Sequence, residues 1–337
     1  MNSEIYPIPE ELNGATVAAA LRHFFEGKSW KEVRTLVESR HVKIGSELCL
    51  DSARRLNVGE NLEILGHPAP KPAEAAPIVI RFVDQHIVVV EKPAGMNTVR
   101  HPSEREWSAR RRALSPTLDD LVAKKLARSH SAKTKGSLPR LRVVQRLDKD
   151  TSGLLVFART VEAERGLGSQ FHEHTVLRRY LAIILGHLPP QTIETFLIRD
   201  RGDGRRGSSP NDKHGKRAVT HVEVIQQFPA HALVACRLET GRTHQIRIHL
   251  AERGHPICGD ALYNKKMDGS EIIPDCSHAP RLALHAEQLG FIHPVTEREV
   301  QWEMPLPDDL HALLLDLRKT TTNPHQKPQK KPRRGGR

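Results

Sequence analysis

The chain has 337 residues, of which 38% are hydrophobic and only 4% aromatic, and it carries a formal net charge of +12. This length predicts two folded units plus tails rather than one ordinary domain, and no apolar run approaches the roughly 20 residues that a membrane-spanning helix needs. The first residues lack the basic and apolar regions of a signal peptide, and the four cysteines are far apart with no CxxC pair. These features favour a cytoplasmic protein with reduced thiols and a polyanionic partner.

Residues 1–66 are predicted to form a small unit of their own. Ser29 and Glu32 have the spacing of a capping box, which opens a predicted helix running to about Arg40. Short strands are expected after it, in the segments VKIG, ELCLD and NLEIL. Over about residues 14–65 this order resembles the RNA-binding domain named after small-subunit ribosomal protein four. The resemblance implies RNA contacts by Lys31, Arg34 and Arg40, while an ordinary small α+β domain with a solvated basic face is the alternative.

The Pro- and Ala-rich residues 67–77 predict a linker. Residues 78–317 then read as a second domain in which a helix begins at Ser115-Pro116 and basic loops occupy residues 129–140 and 199–216. Strands are expected in IVIRFVDQHIVVVEK (two of them), VVQRL, LLVFA, YLAIILG, AVTHVEVI and ALVACRLE. Because these strands do not alternate regularly with helices, the pattern predicts an α+β fold with a mixed, largely antiparallel central sheet and flanking helices and loops.

The C-terminal segment, residues 318–337, carries eight Lys or Arg and no Asp or Glu, so the rest of the chain has a net charge of only +4. Its apolar content is too low for it to fold by itself, which predicts a disordered basic tail. The composition fits a solubilising tail and an RNA-gripping arm equally well.

The densest run of polar residues is Q-R-L-D-K-D-T-S-G at residues 145–153, between two predicted strands. Taken alone, such a run of polar residues is typical of a turn between two strands. Other polar segments accompany it, and together they form an ordered set that no single short motif would provide. These segments are K-P-A-G at 92–95, R-R-Y at 178–180, T-G-R-T-H-Q-I-R at 240–247 and G-D-A-L-Y at 259–263.

In this order the motifs resemble those of the RluA-type pseudouridine synthases, which isomerise uridine within RNA. The resemblance covers roughly residues 78–305 and implies the pseudouridine synthase fold. It favours a helix for residues 240–254, where the alternation of Ile246 and Ile248 would otherwise suggest a strand. Gln145 stands where the family usually has histidine. Since glutamine cannot titrate, a proton-shuttling role at that position is not expected.

The resemblance implies a reaction carried by one carboxylate, Asp148, with no cofactor and no metal. Breaking the bond from ribose C1′ to uracil N1 leaves electron deficiency at C1′, for which a carboxylate is the natural partner, as nucleophile or as proton acceptor. Burial would raise its pKa and an adjacent guanidinium would oppose that rise; Arg242 is the first choice and Arg247 the second. Tyr180 can stack on the uracil and offer its hydroxyl near the departing C5 proton. Substrate contacts are further expected from Arg146, Thr151, Gly153, Ile246 and Arg247.

Other classes of site fit the sequence less well. The pairs His255-Cys258 and Cys276-His278 do not have a familiar zinc spacing. There is no G-x-x-x-x-G-K-[ST] segment of a nucleotide-hydrolysing enzyme and no G-x-S-x-G hydrolase elbow. The runner-up is a non-catalytic RNA-binding or ribosome-assembly protein, which has no need of a converging carboxylate, tyrosine and arginine. A monomer with no membrane attachment is expected, acting on large-subunit ribosomal RNA rather than transfer RNA by analogy with the front domain.

Overall fold

A computed structural model describes residues 4–45, 47–69, 78–104, 107, 112–113, 115–129, 139–209, 215–266 and 269–322. The chain divides into two compact units. The first contains Met1–Pro77 and Arg100–Pro116, and the second contains Ile78–Val99 and Thr117–Arg337. The sequence did not predict that the short segment Arg100–Pro116 belongs to the first unit. Most of the predicted linker (70–77), most of the basic loop after residue 129 (130–138) and the tail beyond residue 322 lie outside the described residues.

The first unit is a small α+β arrangement whose strands all pair antiparallel in the order β1-β4-β2-β3. Its elements are β1 (Glu4–Pro7), a 3-10 turn (Glu10–Leu12), α1 (Val17–Phe24), α2 (Trp30–Glu38), β2 (Val42–Ile44), β3 (Glu47–Leu48) and β4 (Asn61–Ile64). The expected capping box is present, because the Ser29 hydroxyl accepts from the Glu32 amide while the Glu32 carboxylate accepts from the Ser29 amide at 2.7 Å. Val33 and Val37 turn inward and are fully buried.

Arg40 does not belong to the helix, which ends at Glu38. Its backbone is left-handed, with φ of 70°, and this conformation stops the helical hydrogen-bond ladder. Its Nε donates to the carbonyl of Ala69 at 2.9 Å. The expected RNA-binding residue Arg40 therefore fastens a distant part of its own unit, whereas Lys31 and Arg34 lie exposed on α2.

The second unit is built on a mixed sheet, and the eleven strands that its described residues form pair antiparallel with one exception, β8 with β14. This confirms the predicted α+β fold. The strands are β5 (Val79–Val83), β6 (Ile87–Lys92), β7 (Arg142–Val143), β8 (Ser152–Ala158), β9 (Leu177–Leu185), β10 (Gln191–Ile198), β11 (Gly207–Ser209), β12 (Lys216–Gln227), β13 (His231–Leu238), β14 (Leu284–Ile292) and β15 (Glu299–Glu303). The helices are α3 (Leu118–Ser129), α4 (Val161–His172), α5 (Gln245–Glu252) and α6 (Asp308–Thr322).

The two largest apolar cores of this unit lie on opposite faces of the sheet, and a smaller third one lies between β10, β12 and α5. Successive side chains of a strand point to opposite faces, and β6 shows the division: Val88 and Val90 join one core, and Ile87 and Val89 join the other. The first core also takes the apolar sides of α3 and α6, and the second takes that of α4. Burial on both faces explains why the central strands read as continuous apolar runs.

Two segments differ from the sequence-based expectation, and a third, whose local pattern was ambiguous, agrees with it. Of the predicted strand VVQRL (143–147), only Val143 lies in a strand, the two-residue β7, and the chain from residue 144 to β8 is a loop. Residues 240–254 contain helix α5, as the family resemblance favoured. Helix α6 continues to Thr322 and so includes the first five residues of the expected tail; its leucines at 310, 313, 314 and 317 pack into the core. Among the described residues no helix is both long and apolar enough to cross a membrane.

Candidate active site

Asp148 lies in the loop that precedes β8. The Thr151 amide donates to its backbone carbonyl at 3.2 Å, which closes a tight turn. Its side chain is 25% exposed, so the carboxylate is neither buried in the core nor freely solvated. A carboxylate placed in this way can meet a ligand while its protein neighbours still influence it.

Helix α5 supplies the charged partner of Asp148. Arg247 Nη1 lies 3.7 Å from Asp148 Oδ2, and His244 Nε2 lies 3.9 Å from Oδ1. Arg242, the first choice from the sequence, donates from Nε to the carbonyl of Arg217 instead. The neighbouring guanidinium is therefore that of Arg247, the second choice, and the order of the two predictions was wrong.

A second carboxylate holds Arg247 in position. Asp260, whose side chain is only 1% exposed, accepts from Arg247 Nε and Nη2 at 2.8 Å each, and Nη1 is left facing Asp148. Asp260 also accepts from the amides of Leu262 and Tyr263. Burial would raise the pKa of Asp260, but these bonds and the charge of Arg247 outweigh it and lower the pKa. Asp260 thus stays ionised as a positioning group.

His244 is an unusual N-cap for α5. Its backbone is left-handed, with φ of 59°, which is a costly conformation for a residue other than glycine. Its Nδ1 lies 2.8 Å from the Tyr263 hydroxyl, and its Nε2 faces Asp148. Burial lowers the pKa of His244, although the charge of Asp148 opposes that shift. The imidazole is therefore a neutral neighbour of the carboxylate near pH 7.

Tyr180 and Ile246 are the two residues that are predicted to meet the uracil base. Both are buried and belong to the same core. Burial raises the pKa of Tyr180, the charge of Arg178 opposes this, and the charge of Asp148 adds to it. The phenol therefore keeps its proton near neutral pH. In the sheet, Tyr180 pairs with Ala286, and Ala286 pairs in turn with Gly153, so the tyrosine shares a row with the start of β8.

Gly153 and Thr151, for which substrate contacts are predicted, both shape the backbone around Asp148. Gly153 has φ of 125°, and a Cβ there would collide with the backbone of Ala286, so only glycine permits this close pairing of β8 and β14. The Thr151 side chain is almost fully buried, and its carbonyl accepts a hydrogen bond from Lys92. Both residues shape the loop that carries Asp148.

Lys92 holds this loop through hydrogen bonds to its backbone. Its side chain is fully buried, and its Nζ donates to the carbonyls of Pro93 at 3.0 Å, Lys149 at 2.8 Å and Thr151 at 2.7 Å. Burial lowers the pKa of Lys92 to about 7, while the charges of Asp150 and Asp148 oppose this shift. Two of the three acceptors follow Asp148 by one and three residues, so the ammonium group fixes the backbone beside the carboxylate.

Arg146 has an exposed side chain, two residues before Asp148. Gln145, which replaces the family's usual histidine, has a buried amide nitrogen with no hydrogen-bond partner in the described part of the chain. No group of three His, Cys, Asp or Glu side chains arranged to hold a metal ion occurs among the described residues.

His244, Asp260, Tyr263 and Lys92 were not assigned roles from the sequence. All four lie in the motifs that were matched there, K-P-A-G, T-G-R-T-H-Q-I-R and G-D-A-L-Y. The polar positions inside those motifs were thus the only available signal. Assembled, the site places one partly exposed carboxylate beside a guanidinium that a second carboxylate holds, which suits stabilisation of a developing positive charge.

The contacts of Arg247 give a first testable prediction. One guanidinium binds Asp260 through two nitrogens and faces Asp148 with the third, which a single ammonium group cannot reproduce. We expect Arg247→Lys to lower turnover at least about tenfold, or about 1.4 kcal/mol in the barrier, and Arg242→Lys to lower it less. Steady-state kinetics of the two variants measures this. A larger loss in Arg242→Lys would restore the assignment made from the sequence.

Two buried histidines predict acid sensitivity. His249 lies between the hydroxyls of Thr195 and Thr220, and His285 accepts from Ser152 and donates to the Met304 carbonyl. Burial lowers the pKa of both imidazoles to about 4 from 6.5. Between those values the unfolded chain binds protons that the folded chain does not, so stability is lost as pH falls through this window.

Urea unfolding at pH 7 and pH 5 tests this acid sensitivity. The wild-type chain is expected to lose free energy of unfolding at the lower pH, and His285→Gln is expected to lose less. The matched control is His172→Gln, at an exposed histidine of α4, which should follow the wild type. Equal losses in all three proteins would contradict the prediction.

The sequence is similar to those of known RNA pseudouridine synthases. Residues 86–252 match the family model described as RNA pseudouridylate synthase. The chain is 35% identical over 315 residues to "Ribosomal large subunit pseudouridine synthase D" of Nitrosomonas europaea, covering 92% of this chain and 87% of that protein. It is 34% identical to the protein of the same name from Zymomonas mobilis subsp. mobilis, covering 93% of this chain and 97% of that protein.

Solved structures share the fold. The structure titled "Human RNA Pseudouridylate Synthase Domain Containing 4" has a TM-score of 0.56 at 24% identity, covering 71% of this chain and 92% of that chain. "Human RNA Pseudouridylate Synthase Domain Containing 1" has a TM-score of 0.52 at 23% identity, covering 74% of this chain and 98% of that chain. At these identities the likeness concerns the fold alone.

Proposed function

Because the chain belongs to the RNA pseudouridylate synthase family and is an RNA pseudouridine synthase, we propose that its substrate is large-subunit ribosomal RNA and that Asp148 carries the reaction. The relatives named above support the choice of RNA by their names. The observation that carries the assignment of the carboxylate is the 3.7 Å approach of Arg247 to Asp148.

The chemistry requires one carboxylate that stays ionised. The bond from ribose C1′ to uracil N1 breaks, the base turns, C5 bonds to C1′, and the C5 proton is lost as N1 gains one. Asp148 offsets the positive charge that develops at C1′. The nearby Asp260 is already committed to Arg247, and this leaves Asp148 as the carboxylate available for the sugar.

The residues around Asp148 have separate roles in the proposed reaction. Arg247 places its positive charge beside the carboxylate, and Asp260 keeps Arg247 in place. Tyr180 presents a protonated phenol on the apolar side of the site, where a uracil ring would stack. Ile246 supplies the wall beneath the base.

The RNA contacts are proposed for exposed basic side chains. Arg146 stands beside Asp148 and would hold or replace the extruded nucleotide, since pulling a base from a stem costs a few kcal/mol that other contacts must offset. In the first unit, Lys31 and Arg34 would bind phosphates. We assign this unit to RNA binding and the second unit to catalysis.

A map of pseudouridine tests the substrate. Ribosomal and transfer RNA from cells with and without this gene would be compared at single-nucleotide resolution, and the purified enzyme would then be added to the RNA of the deficient cells. Sites in large-subunit ribosomal RNA should disappear without the gene and return with the enzyme. Loss confined to transfer RNA would refute the proposed substrate while leaving the reaction intact.

A further inference from the structure

One of the two tryptophans of the first unit is largely exposed to solvent. Trp30, at the first turn of α2, is 46% exposed and is not part of the apolar core of this unit. Other aromatic rings of this unit are partly buried and pack against this core, namely those of Tyr6, Phe24 and Phe25. The chain contains only three tryptophans. Burial of so large a ring would normally stabilise a small domain, so its exposure calls for another use.

Arg22 of α1 holds the indole in one orientation. Its guanidinium carbon lies 4.6 Å from the centroid of the Trp30 ring. Its Nε donates to the carbonyl of Lys28 at 3.2 Å, which ties the guanidinium to the turn between α1 and α2. The ring is therefore a fixed, partly open surface, which lowers the entropy cost of stacking a further ring on it.

Further cations lie near Trp30 in the sequence. Lys31 and Arg34 are exposed on α2, and Lys28 precedes it. Of the acidic neighbours, Glu32 is bonded to the amide and hydroxyl of Ser29 in the capping box. The Trp30 surface, defined as Arg22, Lys28, Trp30, Lys31 and Arg34, thus combines one aromatic ring with four positive charges.

We propose that the Trp30 surface binds an unpaired nucleotide of the substrate RNA, with the base stacked on the indole and the adjacent phosphates against the lysines and arginines. This deepens the proposed function and rests on the substrate being RNA. Every base has a π-face, so a stacking platform tolerates any sequence, while neighbouring cations follow the backbone. A protein partner would favour further apolar side chains around the ring, whereas its neighbours on this surface are charged.

Intrinsic fluorescence can report on Trp30 itself. In the full-length chain, Trp107→Phe and Trp302→Phe together leave Trp30 as the only tryptophan. This protein would be titrated with a ten-nucleotide oligoadenylate and with an abasic ribose-phosphate oligomer of the same length and charge. We expect quenching by the oligoadenylate and little by the abasic oligomer. Equal quenching by both, or none by either, would overturn the proposal.

Substitutions give an independent measurement. Trp30→Ala is expected to weaken binding of the oligoadenylate at least about fivefold, as for other stacked bases, and Trp30→Phe should retain part of the affinity. The matched control is Ile5→Ala, at an apolar side chain of the same unit that is 60% exposed. With ribosomal RNA, Trp30→Ala should raise KM and leave kcat unchanged. Equal affinities in the alanine variants, or a fall confined to kcat, would contradict stacking.

The outcome is separable from the proposed function. A chain without stacking at Trp30 but with normal pseudouridine formation would refute this surface alone. A chain that stacks adenosine yet modifies no ribosomal RNA would refute the proposed substrate alone.

Discussion

Asp148→Asn is expected to abolish pseudouridine formation and to leave RNA binding intact. Asparagine has the size of aspartate but neither its negative charge nor its nucleophilic oxygen, so it cannot balance the charge at C1′. The side chain is a quarter exposed and pairs with Arg247 and His244 at 3.7–3.9 Å, so the change removes no core contact. Loss of one negative charge near RNA should leave affinity equal or slightly greater.

Release of tritium from RNA labelled at C5 of uridine measures this prediction, because the C5 hydrogen departs in each turnover. The matched control is Asp150→Asn, an exposed carboxylate two residues further along the same loop. It should keep most of the activity. Turnover near the wild-type rate in Asp148→Asn would remove this carboxylate from the reaction, and a fall in RNA affinity would indicate a binding role.

Lys92→Met is expected to destabilise the second unit by about 3 kcal/mol or more and to lower turnover as well. Methionine fills the space of the lysine but leaves the carbonyls of Pro93, Lys149 and Thr151 without its three hydrogen bonds, and each buried unsatisfied acceptor costs about 1–3 kcal/mol. The Lys149 carbonyl also accepts from the Met96 amide. Of the three carbonyls, it is therefore the one at which losing the Lys92 hydrogen bond costs least. The backbone around Asp148 would then be held less firmly.

Lys149→Met provides the control for this prediction. It is the same substitution in the same loop, but the Lys149 side chain is exposed and only its backbone carbonyl meets Lys92. Its free energy of unfolding in urea should match that of the wild type. If both variants are equally stable, the ammonium of Lys92 is not what holds the loop.

Much of the fold could be predicted from local patterns. The capping box at Ser29 and Glu32 is a local device, and it begins α2 as expected. The continuous apolar runs of β6, β8 and β9 indicated central strands, since each is buried on both faces. Local alternation failed at α5, where nearly every side chain is buried and the stripe that normally marks a helix is lost.

The details of the site depended on contacts distant in sequence. Arg242 and Arg247 occupy one motif, and nothing local decides which one faces Asp148; the deciding contact is Asp260, thirteen residues beyond Arg247. Lys92 ends an apolar strand, where a lysine usually indicates exposure. Its burial is possible only because carbonyls 57 and 59 positions later surround it.

The pairing of β8 with β14 has a consequence for folding of the enzyme during its synthesis. Ser152 and His285 meet across this pair although 133 positions separate them. At typical rates of synthesis the segment bearing Asp148 is made on the order of ten seconds before its neighbouring strand. Closing so long a loop is also a slow step in folding. A nascent chain that ends before β14 therefore lacks the strand that pairs with β8 and is inactive, and activity is expected only within about the last sixth of translation.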